Sequence, residues 1–178
     1  MSLVGMRASE LGVGRCREAA RLLPGAAAGL LLAALVAQVL LPLYLPLLGL
    51  LDVVLLTVVY VALLRRNALV GMLFGMAAGL AQDSLTHGPL GLFGIINTII
   101  GYSASSISLF LEADYPGARS VLAAGFFLVH QLLYWMMSAA LLGSEIVADL
   151  PRTLMLAAVH AGLALLLYQL FDRLKRAP

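Results

Sequence analysis

Between Arg21 and Arg65 the chain carries a single charged residue, Asp52. One helix over that stretch would reach roughly 65 Å at about 1.5 Å per residue, twice the ~30 Å hydrocarbon core of a bilayer. The stretch has to fold back on itself. Pro42 and Pro46, with Tyr44 between them as an interfacial anchor, place the turn.

The same reasoning divides the remainder of the chain. Apolar runs broken by charge, proline or glycine predict six transmembrane helices near 22–41, 47–64, 68–82, 90–111, 120–142 and 151–171. A cytoplasmic segment, 1–21, precedes them, and a tail, 172–178, follows. With 62% hydrophobic and 11% charged residues in 178, and a mean hydropathy of +1.02, the chain reads as one transmembrane domain with no room for a soluble one. Long continuous apolar runs without period-two alternation exclude an outer-membrane barrel. The first run, about 20 residues long, exceeds a signal-peptide core and lacks a small-residue cleavage site, so it reads as an uncleaved span. Cys16 has no partner for an internal disulfide.

Charge orients the six spans. With the amino terminus in the cytoplasm, every basic residue except Arg152 lies on the inner side, as the positive-inside rule requires. Both termini are then cytoplasmic. The basic residues punctuate the spans and form no patch, which argues against nucleic acid as a partner.

The most patterned stretch is Gly71 to Gly101. Gly71, Gly75, Gly79 and Asp83 recur at a spacing of four and share one helix stripe. After a break holding His87, Pro89, Gly91 and Gly94, a second apolar segment places Asn97, Gly101 and Ser105 on one face. Glycines so spaced let helices approach closely in lipid, either within the protein or against a partner's helix. If a partner uses the stripe, leucine at Gly75 or Gly79 weakens assembly and leaves insertion intact.

Asp52 and Asp83 both fall in the outer half, where an intramembrane carboxylate is expensive. They suit ion or proton ligands, anchors for a polar partner segment, or locally hydrogen-bonded helix ends. His130 and His160 lie at similar mid-membrane depth on antiparallel helices, with Asn97 near the same layer. Together with His87 they are candidates for a polar cavity. No third strong metal ligand is evident beside them, so interhelical hydrogen bonding is the better expectation; Gln131, Tyr134 and Trp135 read likewise as glue or interface. There is no nucleophile with a base, no phosphate-cradling glycine loop and no zinc motif. The expectation is a protein that is not an enzyme and needs no cofactor.

The run from Leu69 to Tyr102 resembles the rod shape-determining protein MreD family. That family's pattern is a Gly-rich helix ending in Gly-Leu-x-x-Asp, here Gly79 to Asp83, then a short loop, Leu-Gly, here Leu90 and Gly91, and a helix closing on Gly-Tyr, here Gly101 and Tyr102. Asp52 resembles the family's acidic position in the second span, although Leu51 stands where a proline is usual. The resemblance implies a non-catalytic scaffold of the bacterial inner membrane that binds MreC. Through it the protein would support the glycosyltransferase and transpeptidase of side-wall peptidoglycan synthesis, and hence rod shape, in connection with MreB.

A second class is similar in size and span number: the substrate-binding subunits of energy-coupling-factor vitamin transporters, whose fold the resemblance to the MreD family also implies. Ala33 and Ala37 match their small-residue docking spacing. In that case Asp52, Asp83, His87 and Asn97 would line an outward ligand pocket. A vitamin binder needs convergent polar and aromatic groups, whereas a scaffold needs an open small-residue groove. Short outer loops with few aromatics favour the scaffold.

Overall fold

The computed structural model describes residues 24–44, 49–86, 89–110, 116–143 and 149–175. His87, the leader up to residue 21 and Pro46 lie outside the described residues. Six helices follow one another: α1 (Pro24–Tyr44), α2 (Val53–Arg65), α3 (Ala68–Thr86), α4 (Leu92–Phe110), α5 (Pro116–Leu142) and α6 (Leu150–Lys175). No strand occurs among the described residues. All but α2 are long and apolar enough to cross a membrane, as in a multi-pass membrane protein.

Helix α2 organises the bundle. It packs against all five other helices, and every residue from Val53 to Leu63 is buried. Its 13 residues span only ~20 Å. A helix walled by protein along its length need not match the thickness of the bilayer. The second span was expected over 47–64, yet the helix starts at Val53 because Asp52 caps it: its side chain accepts the Leu55 N–H at 2.9 Å. At the far end Arg66 adopts a left-handed conformation. Its Nε donates to the Ser108 carbonyl near the end of α4 at 2.8 Å.

Helix α3 also departs from expectation. Predicted to stop at Gln82, it continues to Thr86 and so reaches a full span. The Ser84 and Thr86 hydroxyls donate back to the Leu80 and Gln82 carbonyls, which keeps these polar residues compatible with the helix. Pro42, expected to help make the first turn, lies inside the end of α1. Helices α5 and α6 are joined by an Arg119–Asp172 ion pair at 3.1 Å. The Tyr60 hydroxyl donates to Asp172 at 2.8 Å in the same corner.

Candidate functional site

Glycines dictate how α3 meets α4. A Cβ built at Gly71 would strike Ser105 and the Gly101 carbonyl; one at Gly75 would strike the Asn97 carbonyl; one at Gly79 would strike Phe93 and Gly94. Gly101 lies in turn against the Gly71 backbone. The stripe is therefore filled by the protein's own α4 along three successive levels. Of the two readings of the stripe, contact within the protein is the one found; no open groove for a partner helix is left there, and leucine at Gly75 or Gly79 would meet this chain's own backbone.

Asp83 completes the hairpin. It is 1% exposed, and its carboxylate accepts the N–H groups of Gly91, Phe93 and Gly94 at 2.9, 3.0 and 3.0 Å. Those donors belong to the first turn of α4 and the residue just before it, where no intrahelical acceptor exists and the helix dipole favours an anion. Gly91 reaches this position at φ +99°, a backbone that a residue with a Cβ rarely adopts. Gly94 lets the helix close on Leu80 and Asp83. Asp83 thus acts as a cap supplied by another helix.

A second polar cluster surrounds Asp52. Gln38 of α1 clamps the backbone on both sides of it, donating to the Leu51 carbonyl at 3.0 Å and accepting the Val53 N–H at 2.9 Å. From α6, His160 Nε2 accepts the Asp52 N–H at 3.0 Å. That bond makes Nε2 the unprotonated nitrogen, so Nδ1 carries the hydrogen and donates to Leu156 O, 2.8 Å away. Gln82 of α3 donates to the Asp52 carboxylate at 3.4 to 3.5 Å. Asn97 of α4 then donates to Gln82 at 3.2 Å. His130 Nε2 of α5 is 3.5 Å from Asp52 Oδ2. Side chains from α1, α3, α5 and α6 thus converge on the start of α2, with α4 joined through Gln82.

Part of the cluster, namely Gln38, Asp52, Gln82 and His130, lines a cavity of about 610 Å³. Asp52, Gln82 and His130 are its buried base, Phe93, Phe127, Tyr134 and Trp135 form its walls, and exposed Leu50, Asp149 and Arg152 stand at its mouth. Phe93 stacks on His130 and on Tyr134, with ring centroids 5.9 and 5.8 Å apart. Phe127 stacks on His160 at 3.9 Å. Among the described residues no group of three His, Cys, Asp or Glu side chains is placed to hold a metal ion.

The structure therefore separates residues that the sequence grouped, and joins others that it kept apart. Asp52, His130 and His160 meet. Asn97 reaches them only through Gln82 and does not line the cavity, and Asp83 belongs to the hairpin. Gln38 and Gln82 were missed as site residues, although an amide in each of two otherwise apolar stretches was a visible signal. The aromatic walls come from within α4 and α5, so short loops were no guide to them. Replacing His160 by Phe keeps a ring against Phe127 and orphans the buried Asp52 N–H. The expected loss of stability is ~1–3 kcal/mol, read by denaturant unfolding of the detergent-solubilised protein.

The geometry defines a class: an all-helical membrane protein whose short central helix is capped by a carboxylate that lines an open cavity. No protein-family model, curated protein or solved structure matches this chain.

Proposed function

We propose that this chain is a non-catalytic inner-membrane subunit of the bacterial cell-elongation machinery. It binds MreC and supports side-wall peptidoglycan synthesis by the glycosyltransferase and transpeptidase associated with MreB. Both termini are cytoplasmic, consistent with the bias of basic residues. The observation that carries the reading is the hairpin. The residues that make up the resemblance to the MreD family, Gly71, Gly75, Gly79, Asp83, Gly91 and Gly101, are the ones that bring α3 and α4 to backbone contact and cap the junction. The pattern is thus a physical requirement of this element, and function follows from the likeness by analogy. A partner's helix has to use another face, since α4 occupies the stripe.

One observation favours a second reading, the substrate-binding subunit of an energy-coupling-factor vitamin transporter. The Asp52 cavity has the volume and the mixed aromatic and polar lining of a small-molecule pocket. Affinity purification from the native membrane in mild detergent, with mass spectrometry of what is retained, separates the two. Recovery of a single-span periplasmic protein with cell-wall synthases is the expected result. Recovery of ATPase subunits with a small bound molecule would replace the scaffold reading with the transporter one.

A further inference from the structure

We propose that the Asp52 cavity binds a small organic cation, its ammonium or guanidinium head on Asp52 and His130 and its body against the aromatic walls. This deepens the ligand-binding reading of the cavity and is independent of the scaffold reading.

The argument begins with incomplete compensation. A buried carboxylate is tolerated where opposite charge or several good hydrogen bonds replace water. Asp52 is 9% exposed and has one short bond, from the Leu55 N–H at 2.9 Å. Its contacts with Gln82 and His130 are long, at 3.4 to 3.5 Å. No Lys or Arg pairs with it among the described residues. A carboxylate offers about four acceptor positions, and only one of this one's is filled at short range.

His130 supplies the independent observation. It is 5% exposed, lines the cavity, and neither ring nitrogen has a hydrogen-bond partner. His160 cannot share the role, because both of its nitrogens are engaged. An imidazole without a hydrogen-bond partner, beside a carboxylate with a single short bond, matches a head group with several N–H donors. Phe93, Phe127, Tyr134 and Trp135 add ring faces, which attract cations and cover apolar carbon equally well. An anionic ligand would face Asp52 at the floor with only Arg152 at the mouth to offset it.

Trp135 is the sole tryptophan and lines the cavity, so its fluorescence reports occupancy directly. The full-length protein in lipid nanodiscs is titrated with phenethylamine, with uncharged 2-phenylethanol and with 3-phenylpropionate, with excitation beyond phenyl absorption. Saturable change with phenethylamine is expected, with affinity at least about tenfold weaker for the other two. Asp52→Asn should weaken phenethylamine by at least about tenfold, because asparagine retains the helix cap and loses the charge. Thr86→Phe, at an exposed position on the cavity rim, should abolish binding while leaving the far-ultraviolet dichroism unchanged. Equal binding of the uncharged or anionic probe would overturn the proposal. So would no loss in Asp52→Asn, or no saturation by phenethylamine in the wild type.

A lysine or arginine of a membrane partner carries the same chemistry as a free amine. Saturating phenethylamine should leave recovery of protein partners unchanged; release of a partner would overturn the free-molecule assignment. Failure of every probe would leave partner recovery as an intact test of the scaffold, so the two readings fail separately.

Discussion

Leucine at Gly75 should abolish the folded bundle. A Cβ there would overlap the Asn97 carbonyl oxygen and stand 2.8 Å from its carbon and 3.3 Å from the Thr98 nitrogen. Those are main-chain atoms of a helix, with no rotamer available to move them aside. Even alanine forces α3 and α4 apart, and separation removes the contacts at Gly71 and Gly79 as well. In lipid such close packing is what holds helices together, since hydrocarbon solvates a separated apolar face as well as protein does. Overpacking against a flexible neighbour costs ~1–3 kcal/mol; against backbone, with the contacts at Gly71 and Gly79 lost as well, the expected loss exceeds ~5 kcal/mol, in the range of severe core lesions. Gly125 is the control. It lies in α5 with nothing within 4 Å of a built Cβ, so Gly125→Ala should be neutral or up to ~1 kcal/mol stabilising through helix propensity. Unfolding of both variants in detergent, followed by Trp135 fluorescence, checks the pair. Normal stability of Gly75→Leu would mean that α4 does not fill the stripe.

The contrast between these glycines shows what the sequence could and could not reveal. A spacing of four told that Gly71, Gly75 and Gly79 share a stripe, and rise per residue told that 22–64 cannot be one span. Both follow from local geometry. Neither identifies the neighbour. Whether the stripe faces α4 or a second protein depends on how the whole bundle closes. For the same reason Asp52, His130 and His160 were legible one at a time, each by its depth along its own helix. Their convergence depends on α2 standing at the centre, a tertiary fact that no periodicity encodes. Helix ends were displaced where polar side chains found partners: Ser84 and Thr86 bond to their own helix, and Asp52 turned from a residue within a span into a cap. Counting apolar residues finds spans because lipid enforces length. It misjudges a helix such as α2, which the other helices bury from Val53 to Leu63.

The second large effect is expected at Asp83. Its replacement by alanine orphans the N–H groups of Gly91, Phe93 and Gly94, all held by one carboxylate. Near-complete burial of Asp83 keeps water from replacing it. Each unsatisfied buried donor costs ~1–3 kcal/mol. With relaxation and sharing between neighbours, the expected loss is on the order of 4 kcal/mol, smaller than for leucine at Gly75 because no backbone must move. Asparagine should fall between the two. Oδ2 serves Gly91 and Gly94 and Oδ1 serves Phe93, so an amide can keep its oxygen on the pair and lose only the Phe93 bond, placing NH₂ against N–H. The order wild type, Asn, Ala in unfolding free energy distinguishes this cap from a merely hydrated charge, for which all three would be alike. Amide hydrogen exchange gives the local readout: in Asp83→Asn, Phe93 should lose protection while Gly91 and Gly94 retain theirs. Uniform loss across the three would show that the turn, and with it Gly91 at positive φ, had come apart.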